Sequence, residues 1–202
     1  MDDLVLRGMA KWPNVPVVYG WLALDRRGNW LIKGERVVNP LVAEFIGRNY
    51  ARDDRGRWYF QNGPQRVFVA LECAPFVYRV ASPDGAPIAL EAHHGRTVST
   101  VSGAWIDENG IVLLETDLGV GAVHDRDLEQ LLPAFTDANG NPLAEEVLDR
   151  LTDLVQAGRE APLWFSFRDS SVRVEPIRSD SLARRFGFVA RPVQPAGEEE
   201  CY

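Results

Sequence analysis

The chain is poor in the residues that staple small folds or carry familiar chemistry. Of its 202 residues two are cysteine, Cys73 and Cys201, and three are histidine. Neither a disulfide framework nor a paired Cys-x-x-Cys metal knuckle can be built from them, so packing alone must hold the fold. No stretch approaches the roughly 18 consecutive apolar residues of a spanning helix, and Met1-Asp2-Asp3 lacks the basic and apolar regions of a secretory leader. The expected location is cytoplasmic, with no membrane partner. Excess basic charge is missing too: 22 Lys and Arg against 29 Asp and Glu leave a net charge of −7, which argues against nucleic acid as a partner. Absent also are a G-x-S-x-G elbow, an H-E-x-x-H or E-x-x-H pair and an EF-hand ladder. Gly119-Val120-Gly121 lacks the Lys and Ser/Thr of a phosphate loop.

The remainder is ordinary globular material. With 46% hydrophobic and 25% charged residues, disordered, collagenous and coiled-coil classes are excluded, and the length allows one large domain or two small ones. Trp12-Pro13-Asn14-Val15-Pro16 reads as an extended arm leading into a strand over Val17 to Leu24. Asp25-Arg26-Arg27-Gly28 turns the chain into Trp30-Leu31-Ile32. Asn39-Pro40 is an N-cap followed by proline at the first helical position, and Leu41, Val42, Phe45 and Ile46 keep helical spacing to about Ala51. A second hairpin joins Trp58-Tyr59-Phe60 to Val67 through Leu71 across Asn62-Gly63. Phe76 to Val80 is another strand, followed by an Asp84-Gly85 turn and Pro87 to Leu90. A helix spans Asp125 to Phe135, and a short one from Ser179 stops at Gly187 before a final strand ahead of Pro192.

Three patterns recur in order. Leu24 to Ile32 matches Ile106 to Leu114; Asn39-Pro40-Leu41 matches Asn141-Pro142-Leu143; Trp58 through Val69 matches Trp164 through Val174. The expected fold is therefore α+β: two tandem β-hairpin/helix/β-hairpin units, mostly antiparallel, with an inserted helix in the second. The expected boundaries are 1–92, 93–195 and an acidic tail at 196–202.

Few side chains point to chemistry. His93-His94 with His124 lacks metal-ligand spacing and reads as a turn, so no metal or cofactor is assigned. Cys73 has no histidine in sequence to activate it and reads as a small buried residue at a strand end. Asp25 and Asp107 are turn residues before glycine. The unusual feature is the aromatic supply on strands. If part of it stays exposed it forms a ligand surface, with Trp21, Trp30, Gln65, Arg66 and Tyr78 as the candidate binding residues and Arg66 as an anion partner. No catalytic residue is assigned. A binding or regulatory module for a small ligand or protein is the leading expectation. The alternatives are an enzyme without a familiar motif, using Glu72, His93 or His94 as base, and a single-stranded nucleic-acid binder that conflicts with the charge.

Lys11-Trp12-Pro13-Asn14-Val15-Pro16, Tyr19-Gly20-Trp21-Leu22, Arg27-Gly28-Asn29-Trp30 and Asn62-Gly63-Pro64-Gln65-Arg66-Val67 resemble segments of a bacterial, chiefly beta-proteobacterial, family of unassigned function. The chain is also distantly similar to a wider bacterial domain of unknown function with a D-G-x-W hairpin and an E-D-A-P-F strand end. Here the latter stands as Glu72-Cys73-Ala74-Pro75-Phe76, and Arg27 and Cys73 replace the two aspartates. That resemblance implies repeated α+β motifs and a part in signalling.

Overall fold

The computed structural model describes residues 1–11, 17–82, 86–141, 143, 157 and 163–195. The arm expected at 12–16, the turn at 84–85, the helix expected from Pro142 and the tail at 196–202 lie outside them. The fold is mixed α+β, mostly strand, with two sheets. Its compact units are Met1–Pro75 with the segment from Gly187 onward, and Phe76–Phe186. The division thus falls at Pro75 rather than after residue 92, and the chain after Gly187 belongs with the first unit.

In the first unit, α1 (Asp3–Lys11) precedes β1 (Val18–Leu24), β2 (Trp30–Ile32), β3 (Glu35–Arg36), α2 (Pro40–Arg48), β4 (Tyr50–Arg52), β5 (Trp58–Asn62) and β6 (Gln65–Leu71). The sheet order is β3-β2-β1-β6-β5-β4. Two antiparallel ladders meet at a parallel pair, β1 on β6, with Leu22 opposite Val69 and Leu24 opposite Leu71. The hairpin turn is closed by its own aspartate: Asp25 Oδ1 accepts the Arg27 and Asn29 N–H groups at 2.9 and 2.8 Å, and Gly28 takes φ 78°. Asp53 repeats the device between β4 and β5, accepting from Arg55 and Arg57. Helix α2 starts as expected, Asn39 Oδ1 accepting from Leu41 N at 3.0 Å with Pro40 next. It ends at Arg48, earlier than its spacing suggests, because Tyr50–Arg52 is claimed by β5 as a strand. Helix α1 was not foreseen; it buries Val5, and Asp2 N donates to Asn49 Oδ1 at 2.8 Å.

In the second unit β7 (Phe76–Val80) and β8 (Leu90–Ala92) precede β9 (Val101–Asp107), β10 (Val112–Thr116) and β11 (Gly119–Val123). After α3 (Leu128–Leu131) come β12 (Phe135–Thr136), β13 (Trp164–Phe167), β14 (Ser170–Ile177) and α4 (Leu182–Phe186). The order is β12-β13-β14-β9-β10-β11-β7-β8, with parallel pairs β14 on β9 and β11 on β7. The helix expected from Asp125 to Phe135 is broken into 3-10 turns around the four residues of α3, one of them carrying Pro133. No strand forms before Pro192; instead Val189 N donates to Gly56 O and Leu71 N to Ala190 O.

Asp107 is the most buried of the turn aspartates, at 1% exposure, and accepts from Asn109 N and Ile111 N at 2.8 Å each. Asp107→Ala removes the acceptor that these two turn N–H groups share. It is expected to lower unfolding free energy by about 1–3 kcal/mol, measurable by urea denaturation; an unchanged midpoint would contradict the turn's role.

Candidate functional site

The two faces of the first sheet differ. Side chains alternate along a strand, so Leu22, Ile32, Phe60, Asn62, Gln65 and Val67 share one face through the pairs Leu22 with Ile32, Phe60 with Val67 and Asn62 with Gln65. Helix α2 lies on that face, with Phe45 edge-on to Phe60 at 5.5 Å and Ile46 buried. Beside it the face opens into a cavity of about 420 Å³, within the size range of small-ligand sites. Its walls are aliphatic (Val18, Leu22, Ile32, Ile46, Val67) and aromatic (Trp21, Phe60), and its polar lining is Asn62 and Gln65.

A bulge places Trp21 there. Between the pairs Val18 with Val67 and Leu22 with Val69, β1 runs three residues where β6 runs one. Gly20 absorbs the excess with φ 72°, a left-handed conformation that costs other residues about 1–2 kcal/mol. Trp21 consequently lines the cavity, 43% exposed, with the Lys33 ammonium 3.8 Å over its ring. Lys33 N donates to Trp21 O at 2.8 Å, tying the bulge to the β2–β3 turn.

Of the five candidate binding residues, Trp21 and Gln65 meet in this cavity. Trp30 is core, edge-on to Tyr50 at 5.1 Å. Arg66 stacks over Tyr59 at 4.1 Å on the opposite face, where Tyr19 and Phe68 also stack and Arg57 covers Phe68 at 4.3 Å. Tyr78 belongs to the second unit and is fully buried, its hydroxyl 2.8 Å from Thr116 Oγ1 and donating to Gly119 O. Burial pushes that phenol upward. Sequence reasoning passed over the aliphatic wall and Asn62. The available signals were Gly20 within a strand pattern, which marks a bulge, and Asn62 at the Asn-Gly turn.

The groups proposed as bases sit elsewhere. Glu72 is exposed and accepts from Arg26 N at 3.0 Å. In the second unit His93 and His94 stack at 5.2 Å beside Phe76; Val77 N donates to His93 Nδ1 at 3.3 Å. Burial, then the neighbouring His94, lowers His93 to about 3, and burial, then Arg96, lowers His94 to about 4. Both rings are neutral near pH 7 and too weakly basic for efficient proton transfer there. His124 Nδ1 accepts from Arg126 N at 3.1 Å and caps a 3-10 turn. Among the described residues no three His, Cys, Asp or Glu side chains are grouped to hold a metal ion. Cys73, expected buried, is partly exposed, and no described helix is long and apolar enough to cross a membrane.

A family model covering residues 1–193, described as a protein of unknown function (DUF2946), matches the sequence. The chain belongs to that family. No curated protein matches it. Among solved structures it is similar to a DUF1285 family protein from Silicibacter pomeroyi DSS-3, 13% identical over 81% of this chain and 85% of that one, with a TM-score of 0.53. A second DUF1285 family protein, from Shewanella baltica OS155, is 16% identical over 55% of this chain and 88% of that one, with a TM-score of 0.41. The first similarity extends to the fold alone, and both neighbours carry a family designation without an activity.

The histidine pair has a consequence for stability. Unfolded histidines bind protons as pH falls through about 6.5, whereas folded His93 and His94 take them up only near 3 and 4. Stability is therefore expected to fall on acidification from pH 6.5 to 4, by up to about 1.4 kcal/mol per pH unit for His93. Urea titrations at several pH values, with His93→Gln flattening the slope, test this; a slope equal in both proteins would refute it.

Proposed function

We propose that the first unit is a binding module, cytoplasmic as expected from the sequence, that holds a small apolar ligand in the cavity beside α2. The observation that carries the reading is the open apolar cavity with Trp21 presented into it by the Gly20 bulge. Water against so much apolar surface is unfavourable, and an apolar ligand relieves that cost. The described residues lining the cavity include no acid, base or nucleophile of ordinary catalytic type, which favours binding over catalysis. A regulatory protein partner is the second reading. It is favoured by Val38, just before α2, and Leu41, in its first turn, 85% and 72% exposed, since exposed large apolar side chains are what interaction surfaces use.

We further infer that the two sheets are copies of one unit. Strands β4-β5-β6-β1-β2-β3 and β12-β13-β14-β9-β10-β11 follow the same order. Each has a parallel pair at its centre, Leu22 with Val69 in one and Ala104 with Val174 in the other. The turns at Asp25 and Asp107 have the same hydrogen bonds, as do those at Asp53 and Asp137. This alignment sets α3 and its flanking turns opposite α2, so the extra chain of the second copy falls between β12 and β13, not at 125–135. The matching tight turns also assign different roles. Phe165 and Phe167, the counterparts of Phe60 and Asn62, are fully buried, so this reading makes the first copy the receptor and the second a scaffold.

Nile red, an uncharged fluorophore, is expected to bind the full chain with blue-shifted emission, and Val67→Trp, which fills the cavity, to weaken it at least about tenfold, or ~1.4 kcal/mol. Equal dye binding by a Val67→Trp protein of unchanged urea midpoint would reject the cavity as the site.

A further inference from the structure

The chemistry of the lining narrows the ligand. Resting on the binding reading above, we propose that the occupant is an uncharged single-chain amphiphile: an aliphatic chain of about ten carbons carrying an amide or hydroxyl head. At the roughly 30 Å³ that a water-sized group occupies in a liquid, a space of about 420 Å³ takes about fourteen non-hydrogen atoms. Five aliphatic walls and two aromatic ones suit a flexible chain better than a planar ring.

The head group follows from charge. Among the described residues no charged one lines the cavity; the polar ones are Asn62 and Gln65, paired at the two ends of the tight turn between β5 and β6. A carboxamide both donates and accepts, so it satisfies an amide or a hydroxyl. It carries no charge, so it offers an ionic head no charge-assisted hydrogen bond. At the β2–β3 end Lys33 stands over Trp21, and Glu35, of opposite charge, is directly opposite Ile32 in the ladder.

The test uses the full chain at pH 7 with decanamide and decan-1-ol below their solubility limits and decanoate and decyltrimethylammonium below their micelle concentrations, read by Nile red displacement and by thermal shift. Decanamide and decan-1-ol are expected to displace the dye at concentrations at least about tenfold lower than either ion and to raise Tm as mass action requires. Asn62→Leu, which removes one of the two carboxamide residues of the lining, is expected to reduce the Tm rise caused by decanamide and decan-1-ol; an unchanged rise would refute Asn62 as a partner of the head. Should decanoate or the ammonium bind as tightly as decanamide while the dye still binds, the uncharged head is refuted and the cavity stands. Should neither dye nor amphiphile bind, the cavity reading itself falls and this inference with it.

Discussion

The parallel pairing of β1 with β6 is the constraint on which the first unit depends. On either side of it lie antiparallel ladders that form locally, their turns closed by Asp25, Asp53 and the Asn62-Gly63 step. Short loops cost little closure entropy and need few long-range contacts. Joining the ladders is different, because β1 and β6 are separated in sequence by α2 and four strands. That junction must therefore be supported by side-chain burial on both faces. Leu22, Leu24, Val69 and Leu71 provide it beneath α2. On the other face Tyr19 stacks on Phe68, Tyr59 meets Phe68 edge-on, and Arg57 and Arg66 cover Phe68 and Tyr59.

The cavity is a by-product of how that junction is made. Strand β1 is too long for its partner between Val18 and Leu22, and the excess is expelled at Gly20. A regular pairing would have kept period-2 alternation and set Trp21 opposite to Leu22; the bulge brings both into one lining. Helix α2 is only nine residues long, so it covers part of the face and leaves the rest open. The opening thus arises from a short helix and a displaced strand residue, without any charged group being buried.

Local chemistry was readable and long-range competition was not. The Asp-x-x-Gly turns, the Asn-Gly hairpin and the Asn39-Pro40 helix start announce themselves because their hydrogen bonds lie within five residues. Tyr50–Arg52 looks like helix from its spacing, yet pairing with β5 converts it to strand. Residues 125–134 have helical spacing, yet only four of them form an α-helix, flanked by 3-10 turns. The same limit governs the site. Trp21 and Trp30 are both tryptophans on strands of one hairpin; one is solvent-facing and the other is packed on Tyr50, a difference made by residues of β4 and β6.

From its residues alone the chain is committed to an acidic, cysteine-poor α+β fold with hairpins punctuated by aspartate and glycine, since each of those properties follows from composition or from hydrogen bonds between near neighbours. Tertiary structure alone decided that the compact units divide at Pro75, that the segment after Gly187 returns to the first, and that Trp21 and Gln65 share a cavity while Arg66 and Tyr78 do not. The reason is the same in each case: burial and strand pairing depend on residues far apart in the chain, and a single residue of shift or bulge reverses the face on which a side chain emerges.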